Sequence, residues 1–235
     1  MVRPSEVHVY TRMMHPEAEK PNRRDPPILS GPELVAYNAQ AVQHWFDQYE
    51  LFSPAINLFF TVTGQRDMFT NVRFLLAIQA LEVFHRRTSG ETVMPTADFP
   101  AFAEMMTKAI PASTTSRMKD KLKGTYKFLN EPSLGQRLKS IVAGLAQSFG
   151  AAPPAFGKAY LRKLVDTRNY YTHFSEELED KTLDGAGMYW ASRRIVLLLT
   201  LLFLQRLGLS GSDLAPLLER HREFSKLWAR EGDPF

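Results

Sequence analysis

The chain has 235 residues, 44% of them apolar, which is enough to bury a sizeable core in one large domain and argues against disorder of the whole chain. It contains no cysteine, which excludes disulfides and thiolate metal sites and fits a reducing, cytoplasmic location. The net charge of +4 is too small for a polycation that coats nucleic acid, so any nucleic-acid site must be local.

The N-terminal part of the chain changes character at Ser30. Residues 1–29 are rich in proline, lack periodicity and contain no apolar core of a signal peptide, so they predict an extended arm or the remnant of an upstream domain. Ser30 and Glu33 have the spacing of a capping box and open a first long helix. The apolar run at 55–62 is a strand or a helical turn, and we favour a helix because no other segment offers a partner strand.

Helical periodicity continues through the rest of the chain and predicts one helical domain over residues 30–235. The apolar run at 195–204 is about half of the ~20 residues that cross a bilayer, so we expect a buried core helix and no membrane association. No hairpin signals occur, and the fold class is therefore all-α, an up-and-down helical bundle with a short irregular N-terminal arm. The predicted helices cover about residues 67–87, 99–108, 114–129, 133–147, 155–174, 187–207 and 212–230.

One pair of residues combines a phosphate-binding cation with a titratable imidazole, namely Arg168 and His173. The similar pair Arg3 and His8 lies in the non-periodic leader, and we treat it as accidental. On a continuous helix a separation of five residues leaves Arg168 and His173 about 140° apart around the axis. Either the helix ends or distorts just after residue 172, or two copies of the helix build one site across a two-fold axis.

Two segments resemble the HEPN family, and within it the Apea-like HEPN domain, over about residues 34–230. They are residues 74–87, which contain the run QALEVFHRR, and residues 164–173, where the family pattern of arginine, a polar residue and a later histidine is met by Arg168, Asn169 and His173. The resemblance implies an endoribonuclease that cleaves single-stranded RNA through attack of the ribose 2′-hydroxyl, without metal or other cofactor. It also implies a homodimer that acts as a toxin-like or antiviral defence effector, with an antitoxin or another regulatory protein as a candidate partner.

The resemblance assigns roles to three catalytic candidates. Arg168 would hold the non-bridging phosphate oxygens, and His173 would move a proton to or from the reacting oxygens. Asn169 lies four residues before His173, so its amide is within reach of the imidazole along the helix. The alternative is that His173 is an ordinary surface residue and that Arg168 pairs with Glu176 or Glu177.

Further candidates lie on the earlier helix of the resemblance. Glu82 has the favourable spacing for an ion pair with Arg86 on its own helix, and the alternative is that it reaches across the bundle to Arg168. Arg86 and Arg87 are candidates for contacts with the RNA backbone.

The remaining candidates are aromatic or basic. Tyr170 and Tyr171 either pack in the helical core or stack on bases. Lys119, Lys121 and Lys123 belong to a basic run that is either the solvated face of a helix or a salt-dependent RNA track.

Two other functions remain open at this point. The first is a catalytically inactive HEPN module for binding nucleotides or RNA, or for dimerisation. The second is a helical scaffold unrelated to RNA.

Overall fold

The computed structural model describes residues 28–65, 67–126 and 128–229, so the predicted arm lies almost entirely outside the described residues. All regular structure in these three ranges is helical, which confirms the all-α prediction. The helices are α1 (Gly31–Tyr37), α2 (Ala41–Gly64), α3 (Thr70–Thr88), α4 (Phe99–Lys108), α5 (Ser116–Tyr126), α6 (Leu134–Phe149), α7 (Lys158–His173), α8 (Gly185–Arg206), α9 (Gly211–Arg220) and α10 (Arg222–Ala229), with short 3₁₀ turns at Pro154–Phe156 and Glu176–Lys181.

The first predicted helix is two helices, so the prediction of one long helix was wrong. The capping box at Ser30 and Glu33 is present and opens α1 as expected. The chain then leaves the helical conformation at Asn38, whose side-chain amide donates to the carbonyl of Leu207 at 2.7 Å. This tertiary contact holds the break in place, and the run at 55–62 continues helically inside α2 as predicted.

Arg87 supplies hydrogen bonds to α2 at the position where a proline interrupts the helical hydrogen bonding. Pro54 lies in the middle of that helix and has no N–H, so the carbonyl of Glu50 has no helical donor. The Arg87 guanidinium of α3 donates to Glu50 O at 2.9 Å, and its Nε donates to Leu51 O at 2.5 Å. Two adjacent helices are thereby joined where the first of them is weakest.

The core lies where α2 and α3 pack against α8. Phe203 of α8 is surrounded by Phe52, Phe59 and Phe84, with ring centroids 5.3 to 5.9 Å apart, an arrangement that favours edge-to-face contacts. By length and composition α8 is apolar enough to cross a membrane, but 61% of its most apolar window is buried inside the structure. The prediction of a buried core helix is therefore confirmed.

The C-terminal part of the bundle also differs from its prediction. The expected final helix is divided into α9 and α10 because His221 adopts an extended conformation. Gly211 at the start of α9 lies directly against the carbonyl of Ser148 in α6, where any side chain would overlap the backbone. The capping box of α6, formed by Ser133 and Gln136, is present as predicted.

The helices α4 and α5 match their predicted positions but contain no buried residues. Both come from the segment between α3 and α6, and they take no part in the core formed by α2, α3 and α8. After α5 the chain enters α6 through a turn that carries Glu131 back toward α3.

Candidate functional site

The orientation of α7 is fixed by one buried face and one buried hydroxyl. Its buried residues are Tyr160, Leu161, Leu164 and Thr167, at helical spacing. The Thr167 hydroxyl accepts a hydrogen bond from Leu183 N at 2.9 Å, which ties α7 to the segment before α8. With this face buried, Arg168 lies at the edge of the interface between α7 and α3.

Arg168 is held by a carboxylate from α3. Its Nη2 lies 3.2 Å from Glu82 Oε2, and its Nη1 donates to Asn169 Oδ1 at 3.2 Å. The side chains of Arg168 and Glu82 are 32% and 17% exposed, so the pair is half-buried rather than fully solvated. The contact across the bundle is therefore present, and the alternative pairing of Arg168 with Glu176 or Glu177 is not.

Glu82 is shared between two guanidinium groups. Its other oxygen, Oε1, lies 3.4 Å from Arg86 Nη2 on the same helix, so the helix ion pair and the contact with Arg168 coexist. Arg86 also reaches Glu131 Oε2 at 3.1 Å, and its side chain remains 50% exposed. Positive and negative groups alternate along this surface, which leaves each carboxylate between two cations.

The alternation continues into the interior. Glu131 Oε2 also lies 3.2 Å from Nη2 of Arg137, a buried residue of α6. Arg137 Nη1 is 3.4 Å from Nδ1 of the buried His85, and the His85 Nε2 is 3.4 Å from a carboxylate oxygen of Glu91. Burial lowers the pKa of His85, while the Glu91 carboxylate raises it and the Arg137 cation lowers it. The sequence did not predict that His85 and Arg137 meet, because nothing in their spacing indicates this contact.

An open cleft of about 490 Å³ lies between α3 and α7 beside Arg168. Its charged residues are Glu82, Arg86 and Arg168. The rest of its wall comes from Leu75, Gln79, Val83 and Thr172. These four residues are not among the site residues predicted from the sequence, although the helical spacing of 75, 79, 82, 83 and 86 places those positions on one face of α3.

His173 faces away from Arg168. It is exposed, it is the last residue of α7, and it does not line the cleft. The helix remains regular from Arg168 to His173, so the two side chains diverge by about 140° within one protomer. The helix ends at His173, within the interval that one alternative predicted, but this end does not bring His173 into the cleft beside Arg168. In the described part of the chain the side-chain contact of Asn169 is with Arg168 and not with His173: its amide oxygen accepts a hydrogen bond from the Arg168 guanidinium.

An aromatic cluster ends α7. Tyr170, Tyr171 and Phe174 meet edge to face, with centroids 5.2 to 6.2 Å apart. Tyr171 packs against the core, whereas Phe174 is 66% exposed next to His173. Phe174 has φ 49°, in the left-handed region that residues with a large side chain rarely adopt. No glycine marks this helix end, so the sequence gives no signal for the conformation of Phe174.

The other basic candidates do not line the cleft. Arg87 is engaged with two backbone carbonyls of α2, which gives it a structural task that the sequence did not predict. Lys119 donates to Ala112 O at 3.2 Å, and Lys121 and Lys123 are exposed on α5.

A protein-family model matches the chain over most of the helices described above. The model described as Apea-like HEPN matches residues 75–213, which is more than half of the chain and includes most of α3 and all of α7. No curated protein and no solved structure matches the chain.

Proposed function

Because the chain belongs to the Apea-like HEPN family, we propose that it is a metal-independent endoribonuclease that cleaves single-stranded RNA. The observation that supports this proposal is the placement of Arg168. Its guanidinium is fixed by Glu82 at 3.2 Å and still faces an open cleft, on the same helix that presents an exposed His173. A fixed cation and a solvent-accessible imidazole are the two groups that RNA cleavage by internal attack requires.

In the proposed reaction the ribose 2′-oxygen attacks the adjacent phosphorus and the 5′-oxygen leaves. His173 accepts the proton of the 2′-hydroxyl or donates one to the departing oxygen, a contribution of typically 10²–10⁴-fold. Arg168 binds the non-bridging oxygens and offsets the charge that develops in the transition state. Asn169, which holds one side of the Arg168 guanidinium, acts by orienting it. The products are a 2′,3′-cyclic phosphate and a 5′-hydroxyl, and DNA is not cleaved because it lacks the nucleophile.

The active form that we propose is a homodimer. Within one protomer Arg168 and His173 diverge by about 140°, so they do not reach one phosphate together. An isologous contact along α7 places the arginine of one protomer near the histidine of the other and builds two equivalent sites. In the cell we propose a cytoplasmic, toxin-like or antiviral defence effector, restrained by an antitoxin or another regulatory partner.

The proposal is tested by incubating purified protein in EDTA with labelled single-stranded RNA and with DNA of the same sequence. Wild type is compared with Arg168→Ala and His173→Ala, and Arg162→Ala is the matched control because Arg162 lies on the same helix with an 82% exposed side chain. We expect cleavage of RNA only, a loss of at least about 100-fold in both site variants, and full activity in the control. Intact RNA with wild type, or an equally active His173→Ala protein, contradicts the proposal.

A second candidate function is a HEPN module that binds nucleotides or RNA, or dimerises, without turnover. One observation favours it: within one protomer Arg168 and His173 do not converge, because Arg168 is engaged by Glu82 beside the cleft while His173 is exposed outside it. This candidate predicts RNA retention that depends on Arg168, with no cleavage and no effect of His173→Ala. The same experiment, read for binding as well as for cleavage, separates the two functions.

A further inference from the structure

The cleft between α3 and α7 has two ends of different chemistry. At one end two guanidinium groups, from Arg86 and Arg168, bind the two oxygens of the Glu82 carboxylate at 3.4 and 3.2 Å. The side chains of Leu75 and Val83 form an apolar wall, and the amide of Gln79 completes the lining. A cationic end joined to an apolar wall with one amide matches the parts of a nucleotide, which has a phosphate and a flat base with polar edges.

The charges at the cationic end favour an anion despite the presence of Glu82. Arg86 and Arg168 share the Glu82 carboxylate, and Arg86 also contacts Glu131, which is paired with Arg137 as well. Three guanidinium groups are thus connected to two carboxylates, and the network has a net positive charge. Both arginine side chains keep exposed surface, 50% for Arg86 and 32% for Arg168, and each has five N–H donors of which only some contact carboxylates. Because both guanidinium groups contact the same carboxylate, they are close enough to contact one anion together, and arginine binds phosphate well.

The size and the lining of the remainder suit a base. The cleft volume of about 490 Å³ falls within the ordinary range for small-ligand sites. Gln79 is exposed, and in the described part of the chain its amide makes no hydrogen bond, so a donor and an acceptor are both available. A glutamine amide pairs with a base edge on which a donor lies beside an acceptor, as on adenine.

We infer that this cleft binds one ribonucleotide unit of the RNA, with its phosphate on Arg86 and Arg168, its base against Leu75 and Val83, and its base edge on Gln79. The inference rests on the proposed function, because it takes the nucleotide to be part of the RNA substrate. In this arrangement Gln79 determines which base is preferred. Arg86 contributes to the binding affinity equally for every base.

The experiment measures binding without chemistry. Equilibrium binding of the four ribonucleoside monophosphates is determined for the full chain, for Gln79→Leu and for Arg86→Met, with Gln43→Leu as control because Gln43 is an exposed glutamine of α2 that bonds to Asp47. We expect wild type to prefer one of the four bases by about tenfold, since a bidentate amide contact discriminates on this scale. Gln79→Leu should remove that preference. Arg86→Met should lower the binding affinity for all four nucleotides by a similar factor, and the control should bind them as wild type does.

Three outcomes overturn the inference: no monophosphate binds to wild type, Gln79→Leu keeps the preference, or Gln79→Leu alters the oligomeric state and not nucleotide binding, which would mean that a second copy covers the cleft. Cleavage sites in RNA are mapped in parallel with wild type and Gln79→Leu. If nucleotides bind as expected and RNA stays intact, the proposed function fails while the nucleotide site stands. If RNA is cleaved at unchanged sites and nucleotides do not bind, the nucleotide site fails alone.

Discussion

The contact between Glu82 and Arg168 joins the two halves of the candidate site, and a double-mutant cycle measures its energy. Exposed ion pairs contribute about 0.2–1 kcal/mol, and hydrogen bonds to charged groups with less solvent about 1.5–3 kcal/mol. The pair has a 3.2 Å contact between side chains that are 17% and 32% exposed, which places it between these limits. We therefore expect a coupling energy of about 1 kcal/mol between Glu82→Gln and Arg168→Met.

The single variants should differ in a defined way. Glu82→Gln removes the charge that binds both Arg86 and Arg168, so it should cost about 1–2 kcal/mol, whereas Arg168→Met removes one of these two contacts. For a chain of this length 1 kcal/mol corresponds to about 2–4 °C in Tm, so Glu82→Gln should lower the Tm by about 3–6 °C.

The assay is urea and thermal unfolding of wild type, both single variants and the double variant. A control cycle pairs Glu82→Gln with Arg162→Met. Arg162 lies on α7, as Arg168 does, but it contacts Asp166 at 3.8 Å. The control cycle should be additive within about 0.5 kcal/mol. If the cycle through Arg168 is equally additive, the carboxylate does not hold the arginine, and the argument for a fixed cation in the cleft fails.

Four further predictions concern the scaffold. Arg87→Met should lower the free energy of unfolding by about 1–2 kcal/mol, and by less in a Pro54→Ala background, where the helix recovers its own donor; equal losses in both backgrounds would contradict the repair of α2. Gly211→Ala should cost at least about 2 kcal/mol, seen as a lower urea midpoint, because the added methyl overlaps a backbone carbonyl; an unchanged midpoint would refute this close packing. Phe174→Gly should be more stable than Phe174→Ala by about 1 kcal/mol in thermal unfolding, since both lose the ring and only glycine relieves the positive φ; equal stabilities would place the residue outside the left-handed region. Burial keeps the pKa of His85 below its ordinary value of 6.5, so the unfolded chain binds more protons and stability should fall as the pH drops below about 6.5; His85→Asn should flatten this part of the pH profile, and an unchanged slope would assign it to other groups.

The fold was largely predictable because the signals for helices lie in neighbouring residues of the sequence. The capping boxes at Ser30 and Ser133, the periodicity of α3 and the apolar run of α8 are all properties of neighbouring residues. The predicted helix boundaries are wrong where a residue far away in the sequence determines the backbone conformation. Asn38 ends α1 while bonded to the carbonyl of Leu207, a partner 169 positions away that no local pattern indicates.

The candidate site was predictable in part for the same reason. Arg168, Asn169 and His173 lie in one short motif, and the resemblance places α3 and α7 in one domain, which makes Glu82 a candidate partner of Arg168. Local sequence does not indicate which side of α7 is buried. It therefore left open whether the arginine and the histidine converge, and in one protomer they do not.

Sequence alone determined that this chain is an all-helical HEPN protein with an arginine and a histidine in its motif, because periodicity, capping and short motifs are encoded within a few adjacent residues. Tertiary structure decided which side chains meet. Three features depend on how α3 packs against its neighbours. These are the sharing of Glu82 by Arg86 and Arg168, the hydrogen bonds from Arg87 to carbonyls of α2, and the cleft lined by Gln79. That packing is set by the complementary shapes of buried faces, which involve residues far apart in the chain.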